Sequence, residues 1–378
     1  MILHITNDYS GSTVYKNLVG ELDKLGLAQI VYNPIKEKSR IGKNKIDLTV
    51  PDSKIIYAHI LNKTTDRIFY RKKIKKIVKD IESKIDLKKV DFIHAHTWYS
   101  DGGVAYLLSK KYNIPFMVAV RSTDLDIFYK YLYFDRKFGI EILKSAESII
   151  LISQAFKDRL IGILDLETSK NLNNISTKLK IVPNGIDQFW LDNPTPKKLS
   201  ISTDRFNLIY VGTFIKRKKL EQVQQAIIKL NNKSPKYHLH IIGGKGENEK
   251  KILELINEFP QYFSYYGYIS DREELLKLYK QADVFIMPSK RETFGLVYLE
   301  ALTQGLPIIY VKNEGIDGFY ENVGETVDPD NIESICKGIM KIENNYEKYN
   351  FDLSTILINH NWVLIACKYQ QIYQKWLG

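Results

Sequence analysis

Two carboxylates, Glu292 and Glu300, stand with seven residues between them in Glu292-Thr293-Phe294-Gly295-Leu296-Val297-Tyr298-Leu299-Glu300. Just before them, Ala282-Asp283-Val284-Phe285-Ile286-Met287-Pro288 reads as a short buried strand that Pro288 ends. Just after them, Gly305 and Pro307 close a helix in the usual order. The stretch is therefore strand, polar loop, then a helix beginning near Phe294. The first N–H groups of a helix have no internal partner and carry partial positive charge, so such a start suits a phosphate. Gly295 lets a ligand come close to the backbone. Glu300, further into the helix by about two turns, is placed to accept hydrogen bonds from hydroxyls beyond the phosphates, and Glu292 can do so at the other end. A plainer reading is also open, in which Glu292 only complements the helix dipole and Glu300 is solvated.

Other chemistry-bearing groups fall at strand ends. Phe206 to Gly212 reads as a strand, and Thr213-Phe214-Ile215-Lys216-Arg217-Lys218-Lys219 is a basic loop before a helix, where a diphosphate could be clamped. Gly243-Gly244-Lys245-Gly246 is a tight turn after the strand His238 to Ile242. Earlier, His96 sits at the end of the strand opening at Val90, whereas His94 lies within it and is expected to pack. Ligands of open α/β sheets bind just beyond such ends. Arg121-Ser122-Thr123-Asp124 follows another buried strand. An arginine there could read a phosphate or an acidic acceptor, or pair with Asp124 or Asp126. The aromatic run Phe128 to Phe134 could stack on a ligand or pack in a core.

The elements that must position these groups alternate strand and helix from Met1 onward. Pro183-Asn184-Gly185 is a turn, Asn193-Pro194-Thr195-Pro196 fits a linker, and the series restarts at Phe206. This predicts two α/β domains, 1–187 and 188–358, with a closing apolar helix over 359–378. The length of 378 residues and a hydrophobic fraction of 44% suit two well-packed units. Cys336 and Cys367 lie in no metal spacing, which fits a reducing compartment. The N-terminus turns polar at once, as a first strand does and a signal peptide does not. No apolar run approaches the roughly 20 residues that span a bilayer. The net charge of +11 invites nucleic acid, an anionic membrane surface or an acidic substrate as partner. No nucleic-acid-binding signature accompanies it. Ile74, Ile77, Val78, Ile81 and Ile85 recur at helical spacing within the lysine-rich stretch Arg67 to Val90, an amphipathic helix whose basic face is either simply solvated or drawn to anionic lipid.

The Glu292-to-Glu300 spacing around Phe294-Gly295, running on into Glu300-Ala301-Leu302-Thr303-Gln304-Gly305-Leu306-Pro307, resembles the donor-site signature of the retaining GT-B glycosyltransferases of family 4, the glycosyl transferases group 1. His94-Ala95-His96 and Pro183-Asn184-Gly185-Ile186-Asp187 resemble further landmarks of that family, in the same order. The resemblance implies a GT-B fold, two doubly wound Rossmann-like domains facing across a cleft, the first for an acceptor and the second for a nucleotide-sugar. It implies a hexosyl- or N-acetylhexosaminyl-transferase using a UDP- or GDP-sugar. The basic helix and the aromatic run, rather than the resemblance, point to a glycan or lipid-linked glycan acceptor in surface polysaccharide biosynthesis. His96, Glu292 and Lys218 take the catalytic positions. Gly11, Gly212, Thr213, Arg217, Gly244, Tyr268, Phe294, Gly295, Leu296, Val297 and Glu300 surround the donor, and Arg121 and Asp124 the acceptor. No metal and no cofactor are expected, nor a nucleic-acid partner. The expected location is cytoplasmic and peripheral on the inner face of the cell membrane. Three departures stand out. Gly11 remains alone in a loop that is usually glycine-rich, Arg121 replaces a more usual histidine segment, and Thr213 occupies the place of an arginine. Thr213 and the thinned glycine loop motivate a second reading, a catalytically weak sugar-nucleotide-binding protein on the same fold.

Overall fold

A computed structural model describes residues 1–165, 172–196 and 204–377. It divides into two compact units. The first comprises Met1–Ile152, Lys157–Gly185 and Trp362–Gly378, and the second Ser153–Phe156 and Ile186–Asn361.

The first unit is built on seven strands: β1 (Ile2–Ile5), β2 (Gln29–Ile35), β3 (Lys54–His59), β4 (Phe92–Ala95), β5 (Phe116–Ala119), β6 (Ser148–Leu151) and β7 (Leu179–Ile181). Their order is β3-β2-β1-β4-β5-β6-β7, and each neighbouring pair is parallel. β1, β4, β5 and β6 are buried along their whole length. That is why their sequences run as near-continuous apolar stretches rather than alternating ones. The order reverses between β1 and β4, the doubly wound pattern, which opens a crevice at the carboxyl ends of those two strands.

The second unit repeats the plan with β8 (Phe206–Thr213), β9 (Tyr237–Gly244), β10 (Phe263–Tyr265), β11 (Val284–Ile286), β12 (Ile308–Val311) and β13 (Gly324–Val327). The order is β10-β9-β8-β11-β12-β13, again parallel throughout. Here the reversal lies between β8 and β11. The basic loop follows β8 and the Glu292 loop follows β11, so the topology alone brings the two together.

The lysine-rich stretch forms the helix Tyr70–Lys84, shorter at both ends than its pattern suggested. Tyr70, Ile74, Ile77 and Ile81 are buried and the lysines between them, Lys73 excepted, face outward. At the C-terminus the helix Trp362–Tyr373 lies in the first unit's core. Trp362, Ile365, Tyr369 and Tyr373 cluster there with Leu18, Leu22, Phe92 and Met117. Side chains of this size contribute about 1.5–3 kcal/mol each when fully buried.

One glycine shows how closely the backbone layers approach. Gly243, near the end of β9, has φ +136°, and a Cβ there would overlap the carbonyl oxygen of Gly212 on β8. Gly243→Ala is therefore expected to destabilise the second unit by at least about 2 kcal/mol through strain and displaced pairing. Urea unfolding of the two proteins side by side measures it.

Candidate functional site

At the reversal in the second unit, the helix after β11 begins at Leu296, with Gly295 as its N-cap. The sequence placed the start near Phe294. The difference has a backbone cause, since Arg291 and Gly295 both take left-handed conformations, φ +55° and +74°. A Cβ at Gly295 would lie 2.5 Å from the Tyr298 ring, so only glycine makes this turn. No side chain caps the helix, which leaves the Leu296 and Val297 amides as its leading N–H groups. The Tyr298 hydroxyl donates to the carbonyl of Met287 and fastens the helix to the end of β11. Phe294 is buried against Phe319 and His360.

The basic loop meets this turn. Arg217 Nη1 lies 3.3 Å from Ser289 Oγ and 3.4 Å from Glu292 Oε2, and the Lys290 amide donates to the Arg217 carbonyl at 2.8 Å. Lys218 folds back over Gly212, whose missing side chain makes the room: a Cβ there would sit 2.8 Å from Lys218 Nζ. Burial holds the Lys218 ammonium below the ordinary lysine value, while the nearby Glu292 carboxylate opposes the shift. The backbone of Glu292 accepts a 2.9 Å hydrogen bond from Gly315, so the Asn313–Gly315 segment braces the same loop. Thr213, at the arginine position of the resembled pattern, is exposed. Arg217 supplies the guanidinium on this edge instead.

Glu300 is half-buried one turn into the helix, and burial raises its carboxyl to about 7. The Tyr279 hydroxyl, 3.5 Å away, opposes that rise. It is neither a solvated surface acid nor an ion-paired one. Gly244 ends β9, and Tyr268, beyond the left-handed turn at Gly267, is 80% exposed and open to a planar ligand.

The first unit's crevice is of a different kind. His4 on β1 stands opposite His94 on β4 in register, and His96 follows β4. The His94 and His96 rings stack at 3.8 Å, His4 Nδ1 is 3.1 Å from His96 Nε2, and His94 Nδ1 is 2.7 Å from the Tyr373 hydroxyl. Burial pushes all three histidines down, His4 to about 3, so each imidazole is neutral near pH 7. Their ring nitrogens come within 4.8 Å of one another, a spacing three metal ligands could have. The Arg121 cation next to His94 and His96 disfavours a second cation, and the His4–His96 and His94–Tyr373 hydrogen bonds suit neutral rings.

Asp124 is fully buried, and its two oxygens accept from the amides of Trp98, Tyr99 and Arg121 at 2.9–3.0 Å. It braces the loop after β4, since three backbone donors occupy its carboxylate. Burial raises it to about 6. Arg121 does not ion-pair with it. Its Nε donates to the His96 carbonyl at 3.3 Å, and its Nη1 is buried with no partner. Gly11 lies in a short turn under the Asp8 carboxylate, and Ser12 caps the following helix through the Val14 amide. Sequence reasoning passed over His4, Asp101 and Lys73. Asp101 is wholly buried, accepts from the Asn7 amide at 3.2 Å, and keeps Oδ2 without a partner. Burial pushes Asp101 up and Lys73 down, each toward its neutral form. No spacing rule links these positions, since a strand register and a helix packing join them.

The second sheet of this two-unit parallel α/β architecture thus gathers cations, helix amides and carboxylates at its strand-order reversal. The comparisons make this specific. Residues 192–351 match the family model described as Glycosyl transferases group 1, and residues 11–188 that described as Glycosyltransferase Family 4. The alpha-monoglucosyldiacylglycerol synthase of Acholeplasma laidlawii is 26% identical over 351 residues, 88% of this chain and 84% of that protein. The O-antigen chain mannosyltransferase B of Escherichia coli is 26% identical over 205 residues, 53% of this chain and 52% of its own. Among solved structures, Anabaena Alr3699/HepE in complex with UDP-glucose superposes with a TM-score of 0.61 at 16% identity, over 99% of this chain and 98% of that one. The chain belongs to the group 1 family of glycosyltransferases with the GT-B fold.

The raised Glu300 carboxyl has a consequence for stability. Below pH 4.5 both folded and unfolded chains carry its proton, and between 4.5 and about 7 only the folded chain does. Folding then takes up a proton, so this group's contribution falls as pH rises through that window and stays low above it. Glu300→Gln removes the effect. The stability difference between wild type and variant is expected to shift by about 3 kcal/mol against the wild type from pH 4.5 to 7, read from urea unfolding without nucleotide.

Proposed function

We propose that this glycosyltransferase moves a sugar from a UDP- or GDP-sugar, with retention of anomeric configuration, to a glycan or lipid-linked glycan acceptor in surface polysaccharide or glycolipid synthesis. The observation that carries the reading is the meeting of Arg217, Lys218, Glu292 and the uncapped Leu296 amide at one edge of the second sheet. Breaking the bond from sugar to nucleoside diphosphate leaves two negative charges to be held. Lys218, Arg217 and the Leu296 and Val297 amides hold them, and no metal is required for that task. Glu300 accepts from the ribose hydroxyls, and Tyr268 and Gly244 flank the nucleoside. Glu292, already oriented by Arg217, accepts from hydroxyls of the donor sugar.

In the step itself the acceptor hydroxyl oxygen bonds to the anomeric carbon as the carbon–oxygen bond to the diphosphate breaks. The hydroxyl proton passes to a diphosphate oxygen on the same face. His96, neutral and fixed by His4, orients the reacting groups on the acceptor side and is not the base. Arg121, with a free buried N–H, is the acceptor-side cation, and Asp124 holds its loop. The relatives' names support the substrate classes: one makes a glucosyl lipid, one extends an O-antigen chain, and the Anabaena protein binds UDP-glucose. These classes favour peripheral action at a cytoplasmic membrane face. The exposed Thr213 favours a second reading, a binding protein with weak turnover.

The deciding experiment is thermal stability against a panel of nucleoside diphosphates and nucleotide-sugars. A ligand at one hundred times its Kd stabilises the folded state by about 2.7 kcal/mol. One base should raise the melting temperature of the wild type and do so far less in Glu300→Ala. Lys218→Ala should lower turnover by about 10²–10³-fold with smaller change in nucleotide binding. Binding without detectable transfer or hydrolysis in the wild type would establish the second reading.

A further inference from the structure

The first unit exposes an apolar, aromatic surface that no part of the transfer chemistry uses. The run Phe128–Phe134 divides sharply. Phe128 and Tyr129 pack on Tyr99 and Trp98, while Tyr131, Tyr133 and Phe134 point outward, Phe134 at 97% exposure. Ile127 is exposed on the same turn. Ile68 and Phe69, at the start of the helix Tyr70–Lys84, are exposed too. The two segments are neighbours: Arg71 pairs with Asp135 at 2.5 Å and lies 3.5 Å over the Phe138 ring, and Tyr70 packs on Phe128. Leaving six large apolar side chains in water on adjoining segments is costly for a monomer and marks an interaction surface.

The charges around it select the partner. Lys72, Lys75 and Lys79 follow Phe69 along the outer stripe of the helix, and among the described residues they form no ion pair. Lys130 stands on the aromatic segment in the same state. The nearby acids are already occupied: Asp66 by Lys76, Asp80 by Lys84, Asp126 by Arg159 and Asp135 by Arg71. Cations lie over the aromatic faces, Lys72 over Phe69, Lys130 over Tyr131 and Arg136 over Tyr133. Aromatic side chains at headgroup depth under a belt of lysines are what a monolayer of anionic lipid accommodates.

We propose that Ile68, Phe69, Ile127, Tyr131, Tyr133 and Phe134 insert into the headgroup region of an anionic bilayer, with Lys72, Lys75, Lys79 and Lys130 contacting its phosphates. The inference deepens the membrane part of the function proposed above and names the surface that carries it. It is independent of the donor site.

The test is co-sedimentation with vesicles of phosphatidylcholine, with and without phosphatidylglycerol, at low and at physiological salt. Wild type should bind the anionic vesicles at low salt, more weakly as salt rises. Tyr133→Ser with Phe134→Ser should lower the partition coefficient about tenfold, and Lys72→Ser with Lys75→Ser by tenfold or more on the anionic vesicles alone. Because these side chains are exposed, melting temperatures and nucleotide-induced stabilisation should match wild type. Such losses support the surface even where no nucleotide-sugar stabilises the chain. No binding of wild type at low salt, or equal binding by both variants, overturns it and leaves the transferase reading standing. Self-association of wild type that the aromatic variant abolishes, without vesicle binding, overturns it in favour of a second copy as occupant.

Discussion

In a parallel sheet every strand-to-helix loop leaves at the carboxyl edge, and every described strand pair in this protein is parallel. That constraint governs where chemistry can occur. Where the strand order reverses, adjacent loops diverge to opposite faces and leave an open crevice. In the second sheet the loops at the reversal carry Arg217 and Lys218 from β8 and Glu292 from β11. Residues separated by more than seventy positions in the chain meet there because β8 and β11 are hydrogen-bonded neighbours. The Arg217–Glu292 pair is partly exposed, and such pairs add little to stability. Its effect is orientation, holding a carboxylate and a cation where the topology has already delivered them.

The two units manage charge in opposite ways. The second keeps cations at its crevice, with Glu292 to balance them and helix amides beside them. The first buries titratable groups and shifts each toward its neutral form, since an uncompensated charge away from water is costly. His4, His94 and His96 become neutral hydrogen-bonding rings, and Asp101 and Lys73 are each displaced toward their uncharged forms. Asp124 uses three backbone donors to remain in place.

Much of this was legible in the sequence because it depends on neighbours in the chain. Strand–helix alternation, the helix after Gly295, the basic loop after Gly212 and the strand-end position of His96 all follow from local pattern and turn chemistry. The resemblance to group 1 glycosyltransferases rests on the same local segments. Even there, local rules put the helix start two residues early, because they could not foresee left-handed backbone at Arg291 as well as Gly295.

Tertiary structure alone decided the rest. The composition of the aromatic run Phe128–Phe134 is the same whichever side chains it buries. The packing of Tyr70 and Tyr99 against it selected Phe128 for the interior and left Phe134 in water. Asp124 stands at a strand end by its position in the chain, and three amides from two loops make it a brace. His4 was invisible because its partners come through strand register from β4 and through the helix Trp362–Tyr373, hundreds of positions away. The sequence by itself determined the elements, the family and the residues at strand ends, since those are encoded by adjacent side chains and backbone preferences. Which of those residues meet, which are desolvated and which remain free required the fold, because burial and hydrogen-bond partnership are properties of residues distant in the chain.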